Sequence, residues 1–179
     1  ETTEGVHIHI IDAELMGKGE KEKKDLYIEG VQNNGIINHY EYIINSEGTI
    51  EIRHVLKPEG KMPLWFPRIG LTLTVSDALD QVKWYGRGPQ ENYPDRKTGY
   101  PTGIYASTVQ AMYEPYLMPQ DYGLRTDVRW LQLTTDKGIG LQFKMNEWFN
   151  FNIYPYSTDN LTKAMYTYQL QKQKGMTLN

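Results

Sequence analysis

Apolar side chains return at every second position in four separate stretches of this chain, and a repeat of two is the period of a half-buried β-strand. Ile69, Leu71, Leu73 and Val75 alternate with Gly70, Thr72, Thr74 and Ser76. Ile139, Leu141, Phe143 and Met145 alternate with Gly140, Gln142, Lys144 and Asn146. Ile50, Ile52, His54 and Leu56 oppose Glu51, Arg53 and Val55, while Val6, Ile8 and Ile10 interleave with His7 and His9. Turn signals stand between the runs: "NNG" at 33–35, "SEG" at 46–48 and "DKG" at 136–138. Each fits a hairpin through its asparagine, acid or glycine. Hairpins impose antiparallel pairing, and many strands in series build a sandwich or barrel. Only "STDNLTKAM" (157–165) reads as helix, with small capping residues at its start and length for one or two turns. The mixed charges of "KGEKEKK" (18–24) suit a solvated hairpin tip. The expected fold is all-β and antiparallel, in one domain spanning 1–179.

The 39% hydrophobic share is enough to fill a core. A net charge of −3 gives no concentrated basic face for nucleic acid. No apolar run approaches the roughly 18 residues of a membrane-spanning helix. With no cysteine, disulfides, thiolate metal sites and a cysteine nucleophile are excluded, and the compartment stays open between cytoplasm and periplasm. Fourteen tyrosines and four tryptophans suit plain strand packing. They equally suit a protein that handles sugars, because aromatic rings join apolar faces to polar edges.

The densest chemistry lies in "WYGRGPQENYPDRKTG" (84–99). "GRG" lacks the third glycine of a dinucleotide fingerprint, and Pro89 and Pro94 prevent the helix that would hold the phosphates. Glu91 and Asp95 invite a reading as paired glycosidase carboxylates. Arg87, Arg96 and Lys97 stand beside them, however, and ion pairs that brace the loop are the expected use. Pro89 and Pro94 hold Gly88 and Tyr93 away from helical geometry and so stiffen the loop. Gln90, Glu91 and Asn92 place donors and acceptors at its centre, with Trp84, Tyr85 and Tyr93 as a rim. Such a loop fits a sugar-contacting edge, and fits equally a surface that docks on a neighbouring domain.

His7 and His9 share a strand face without a third ligand to complete a metal site, and none is assigned. His54, on the apolar face of its strand, is expected to be a hydrogen-bonded core histidine. In "EWFNFNIYPY" (147–156), Phe149, Phe151 and Ile153 form one face and Trp148, Asn150, Asn152 and Tyr154 the other. The second face suits contact with a sugar ring, or cover by another domain. "ETTEG" and "KGMTLN" do not read as natural termini, so the chain is expected to be an excised piece of a longer protein.

The 84–99 stretch closely resembles the hallmark segment of the C-terminal domain of β-galactosidases in glycoside hydrolase family 2. "MYEPYLMPQDYGLRTDVRWLQL" (112–133), "FNIYPYSTDNL" (151–161) and "FPRIGLTL" (66–73) resemble further segments of that domain, in the same order. The resemblance is strong from about residue 40 onward. It implies an antiparallel supersandwich like that of galactose mutarotases, following a (β/α)₈ barrel that carries both catalytic glutamates. No residue of this chain then has a catalytic role. No cofactor belongs to it, and the resemblance allows a divalent metal in the barrel. It implies an active-site rim or domain interface at Gly88, Pro89, Gln90, Glu91, Asn92, Tyr93, Asp95 and Arg96. A sugar-stacking tryptophan would belong to a segment following "KGMTLN". The implied partners are the rest of the β-galactosidase chain and a galactoside, with a homo-oligomer left open. A stand-alone carbohydrate-binding module and an aldose 1-epimerase are the alternatives. The epimerase needs a placed acid and base, of which "NNGIINHY" (33–40) is only a faint echo.

Overall fold

The computed structural model of the protein describes residues 6–14, 35–60, 62, 64, 66 and 68–179, with backbone pairing but not side chains for 6–14. The expected charged hairpin tip at 18–24 lies outside the described residues. The chain divides into two compact units, Glu1–Arg68 and Ile69–Asn179.

In the first unit, β1 (Val6–Glu14), β2 (Gly35–Ile44) and β3 (Ile50–Glu59) form an antiparallel sheet in the order β1-β2-β3. The "SEG" turn joins β2 to β3: Gly48 takes a positive φ of 82°, and Asn45 Oδ1 accepts from the amides of Glu47 and Thr49. Ile52, His54 and Leu56 are half-buried, and Glu51, Arg53 and Val55 exposed, as the alternation predicts. His54 packs flat on Tyr40 with ring centroids 4.2 Å apart and hydrogen-bonds Asn38 at 3.0 Å. Burial lowers its pKa, so the ring stays neutral more readily than a solvated imidazole.

The second unit has two antiparallel sheets. β4 (Leu73–Val75), β10 (Met176–Leu178) and β9 (Ile153–Tyr154) make the smaller, ordered β4-β10-β9. β5 (Gln81–Arg87), β6 (Thr102–Thr108), β7 (Arg125–Thr134) and β8 (Gly140–Phe151) make the larger, ordered β6-β5-β7-β8. Their inner faces share one core: Val82, Trp84, Val128, Leu131 and Leu133 pack with Val75, Ile153, Met176 and Leu178. This is the all-β sandwich the alternation predicts. The "DKG" turn joins β7 to β8, with Gly138 at a φ of 78°. The expected helix, α1 (Thr158–Lys163), forms, and Ser157 caps it by accepting from the amide of Asn160.

The strand expected from Ile69 begins only at Leu73. Its partner β10 has three residues, pairing Leu73 with Leu178 and Val75 with Met176, so residues 69–72 have no ladder to join. Between β7 and β8 the register breaks twice. Three steps along β7, Arg125 to Val128, match two along β8, and the surplus falls beside Asp127, which sits at a φ of 54°. Two steps, Val128 to Trp130, then match five along β8, from Phe149 back to Lys144. The first of these breaks places Asp127 beside the loop that follows β5.

Candidate functional site

β5 carries "WYGR" into the candidate loop, so the first four residues of the hallmark stretch are strand. Alternation then decides their fates. Trp84 points into the core, 1% exposed, and its Nε1 donates to the carbonyl of Arg87 at 3.0 Å. It is therefore a core residue rather than part of the expected rim. Tyr85 points outward, and Gly86 faces Val128 so closely that an added Cβ would lie 2.8 Å from Val128 Cγ2.

Beyond Arg87 the chain leaves the sheet, and its polar centre turns inward. Glu91 is 5% exposed and Asn92 is fully buried. Glu91 Oε1 accepts from Arg96 Nη2 at 2.5 Å and from the hydroxyl of Tyr116. Its Oε2 accepts from the Gly123 amide at 2.8 Å and from the Tyr93 hydroxyl at 3.3 Å. Burial alone would raise the pKa of this carboxyl. The bonds from Tyr116, Gly123 and Arg96 outweigh burial and hold it below the ordinary 4.5. Asn92 completes the seam: its amide donates to the Leu124 carbonyl at 2.8 Å, and its Oδ1 accepts from Thr126 N at 3.1 Å and Thr126 Oγ1 at 2.6 Å.

Arg125 closes the seam from beneath. It is 3% exposed and lies 5.4 Å over the Trp84 ring. It donates to the carbonyls of Gly123 at 2.8 Å and Pro89 at 3.0 Å. Burial pushes its pKa down to about 10, so it keeps its charge at neutral pH. On the outer side, Asp127 accepts from Arg87 Nε at 2.5 Å and Lys97 Nζ at 2.8 Å. Burial would raise the Asp127 pKa, but these two cations lower it below the ordinary value. Arg87 also donates to the carbonyls of Lys97 and Tyr100, which pins the far end of the loop.

Of the expected rim residues, Glu91, Tyr93 and Arg96 thus form one bonded cluster, Asn92 bonds Leu124 and Thr126 beside it, and Pro89 is tied in through Arg125. Gly88 is buried against Trp84 and Tyr105, where a Cβ would meet the Tyr105 ring at 2.8 Å. Pro89, Gln90, Pro94, Asp95 and Arg96 are exposed and form the outer edge. The bracing ion pair expected of the loop is found between Glu91 and Arg96, whereas Arg87 and Lys97 pair with Asp127, a residue the sequence did not single out. Tyr116, Gly123, Arg125 and Thr126 were also missed. Their only sequence signal is that they fall in the second hallmark segment, 112–133.

The face expected to hold Trp148, Asn150, Asn152 and Tyr154 is divided by the structure. Trp148 and Asn150 are exposed. Asn152 and Tyr154 are fully buried, donating to Asp121 Oδ1 at 2.7 and 3.0 Å, and both accept from the side-chain amide of Asn179. The strand ends at Phe151 and β9 belongs to the other sheet, so alternation does not carry the face past Asn150. Among the described residues no three His, Asp or Glu side chains gather closely enough to hold a metal ion. The side chains of His7 and His9 lie outside the described set.

Comparison with known proteins adds the family. A family model described as the β-galactosidase small chain matches residues 5–179. The chain is 38% identical over 137 residues to a β-galactosidase of Priestia megaterium, covering 76% of this chain and 13% of the relative. It is 39% identical over 104 residues to a β-galactosidase of Vibrio cholerae, covering 58% of this chain and 10% of that one. A β-galactosidase of Lactobacillus delbrueckii is 40% identical over 105 residues, again 58% of this chain and 10% of the relative. The chain therefore matches only about a tenth to an eighth of the length of these proteins.

Proposed function

This chain belongs to the β-galactosidase small-chain family, and on that premise we propose that it is a non-catalytic domain of an enzyme that hydrolyses terminal β-D-galactosides. Its work is to hold the 88–97 loop as a stiff wall at the active-site rim and to pack against the rest of the β-galactosidase chain. Catalysis belongs to a barrel outside these residues, together with any divalent metal.

The observation that carries this reading is the state of Glu91. A general acid needs a raised pKa and a proton to give. A nucleophile needs a free lone pair facing substrate. Glu91 has neither, since both oxygens accept hydrogen bonds within the protein and its pKa is lowered. Asp95, the other half of the pair weighed from sequence, is exposed. The cluster suits positioning: a wall held in place before substrate arrives excludes water and limits the geometries open to the sugar.

The test is kinetic, in the full-length protein with a nitrophenyl β-galactoside. Replacing Glu91 with alanine is expected to lower kcat or raise KM several-fold while leaving measurable turnover. Complete loss of activity in a protein that remains folded would assign Glu91 to the chemistry itself and overturn the proposal.

A further inference from the structure

Resting on the reading of the 88–97 loop as an active-site wall, we propose that Asp127 is a positioning residue for galactoside hydrolysis. It clasps both ends of that loop to the four-stranded sheet and so sets where the wall stands.

Arg87 is the last residue of β5, and Lys97 is the residue at which the loop ends. They stand 10 positions apart in sequence, yet one carboxylate holds both. Asp127 Oδ2 accepts from Arg87 Nε at 2.5 Å, and Oδ1 accepts from Lys97 Nζ at 2.8 Å. Each oxygen takes one cation, so neither contact competes with the other. The Arg87 guanidinium also donates to the carbonyls of Lys97 at 3.1 Å and Tyr100 at 2.9 Å, which closes the base of the loop. The other end of the clasp belongs to the sheet. The Asp127 amide donates to Asn150 Oδ1 on β8 at 3.2 Å. Its carbonyl accepts from Arg129 Nη1, whose guanidinium lies 4.0 Å from the centre of the Trp148 ring. The carboxylate is thus fixed to the sheet, and the loop to the carboxylate.

Stability alone does not account for an aspartate here. Its φ of 54° is a conformation that glycine adopts without steric cost and other residues rarely take. Its side chain meets cations that are 26% and 36% exposed, and ion pairs that reach water contribute little to folding. Strain and pairing therefore offset one another, and glycine would serve the fold about as well. What glycine cannot do is hold Arg87 and Lys97 together. Glu91 and Asp127 also act on different parts of the loop. Glu91 ties its centre to Tyr116 and Gly123, while Asp127 ties its two ends. The exposed edge at Gln90 and Asp95 lies between these two supports. Without the second support the loop can pivot about the first. A wall that stands in place only part of the time weakens apparent substrate affinity in proportion to its absence.

The experiment uses the full-length protein with a nitrophenyl β-galactoside, and the variants Asp127→Asn, Asp127→Gly and Lys97→Met, each checked for melting temperature and molar mass. Asparagine keeps the backbone and removes the charge, whereas glycine removes both charge and strain. The expected result is a KM raised about fivefold in both Asp127 variants, with kcat within about twofold of wild type. Lys97→Met should raise KM on its own and raise it no further in Asp127→Asn, because the two residues act through one clasp. A kcat that falls while KM stays constant would mean loss of folded enzyme, a purely structural role, and overturns the proposal. So does a KM that rises in the glycine variant alone, which traces the effect to the backbone. Multiplying effects of Lys97 and Asp127 overturn it as well. Absence of turnover by the wild type refutes the β-galactosidase reading and the clasp together, whereas an unchanged KM in active variants refutes the clasp alone.

Discussion

Glu91 Oε2 accepts a hydrogen bond from the backbone amide of Gly123 at 2.8 Å, across 32 residues of chain. The bond joins the loop after β5 to the segment that leads into β7. Gly123 takes a φ of 78°, which turns its amide in a backbone conformation that other residues rarely adopt. The loop is thus held by its own buried carboxylate.

Replacing that carboxylate with an amide tests the hold. Glu91→Gln keeps the volume but puts an NH₂ group against donors, whichever way the amide is turned. The cost is set by lost charge-assisted bonds, about 2–3 kcal/mol of stability. It stays below the loss for a stranded buried charge because the Arg96 side chain is 46% exposed and can turn to water. Urea denaturation of the variant measures it.

Asp127 combines a left-handed backbone with two ion pairs, and two substitutions separate the contributions. Asparagine tolerates the φ of 54° nearly as well as aspartate does, so Asp127→Asn removes mainly the charge. Its expected cost is about 1 kcal/mol, since Arg87 and Lys97 are partly exposed. Asp127→Ala loses the backbone compatibility as well and is expected to cost about 1 kcal/mol more. Equal losses in paired denaturation curves would show that the backbone conformation carries no strain.

Gly86→Ala is expected to destabilise by about 1–3 kcal/mol. Its Cβ would lie 2.8 Å from Val128 Cγ2 and 3.0 Å from Val128 Cα, and the second contact is backbone that cannot rotate away. Gly99→Ala, where nothing lies within 4 Å, is the matched control and is expected to change little. Thermal melting of the two variants side by side reads the difference.

Acid should loosen this part of the protein. Burial opposes the charged forms of Glu91 and Asp127, yet their partners lower both pKa values below the ordinary 4.5 and 3.8. For groups lowered in this way the stabilisation is complete above the ordinary value and is lost as pH falls through the lower, folded-state value. Stability from these two groups is therefore flat from neutral pH down to about 5 and declines below about 4. A pH series of melting temperatures for wild type and Glu91→Gln checks this: the curves should converge as the pH falls.

Four of the strands were legible in the sequence because alternation is a local signal, although on β8 the expected inward positions Leu141 and Met145 are exposed. Ile52, His54 and Leu56 fall on one face of β3 as read, and Ser157 caps α1 as read. Trp84 was misplaced because the hallmark stretch was treated as all loop. Its position two residues after buried Val82, in step with strand alternation, could have placed it in the core. Asn152 and Tyr154 were misplaced because alternation does not reveal where a chain passes from one sheet to the other. Asp127 was illegible for a different reason. Its role comes from a register break between β7 and β8, and a bulge depends on both strands together. Glu91 was read correctly as a brace from the bases near it, but three of its partners, Tyr116, Gly123 and Tyr93, join it through tertiary contacts or a loop turn that spacing does not predict.

Glu91 holds the loop from within, and amide hydrogen exchange at Gly123 and Asn92 reads that hold at both ends of the seam. In the wild-type protein both amides are expected to exchange slowly, and in Glu91→Gln both should accelerate together by at least about tenfold, as local opening becomes easier. Fast exchange at Gly123 in the wild type, or an Asn92 amide unmoved by the substitution, would mean that Glu91 does not hold the loop.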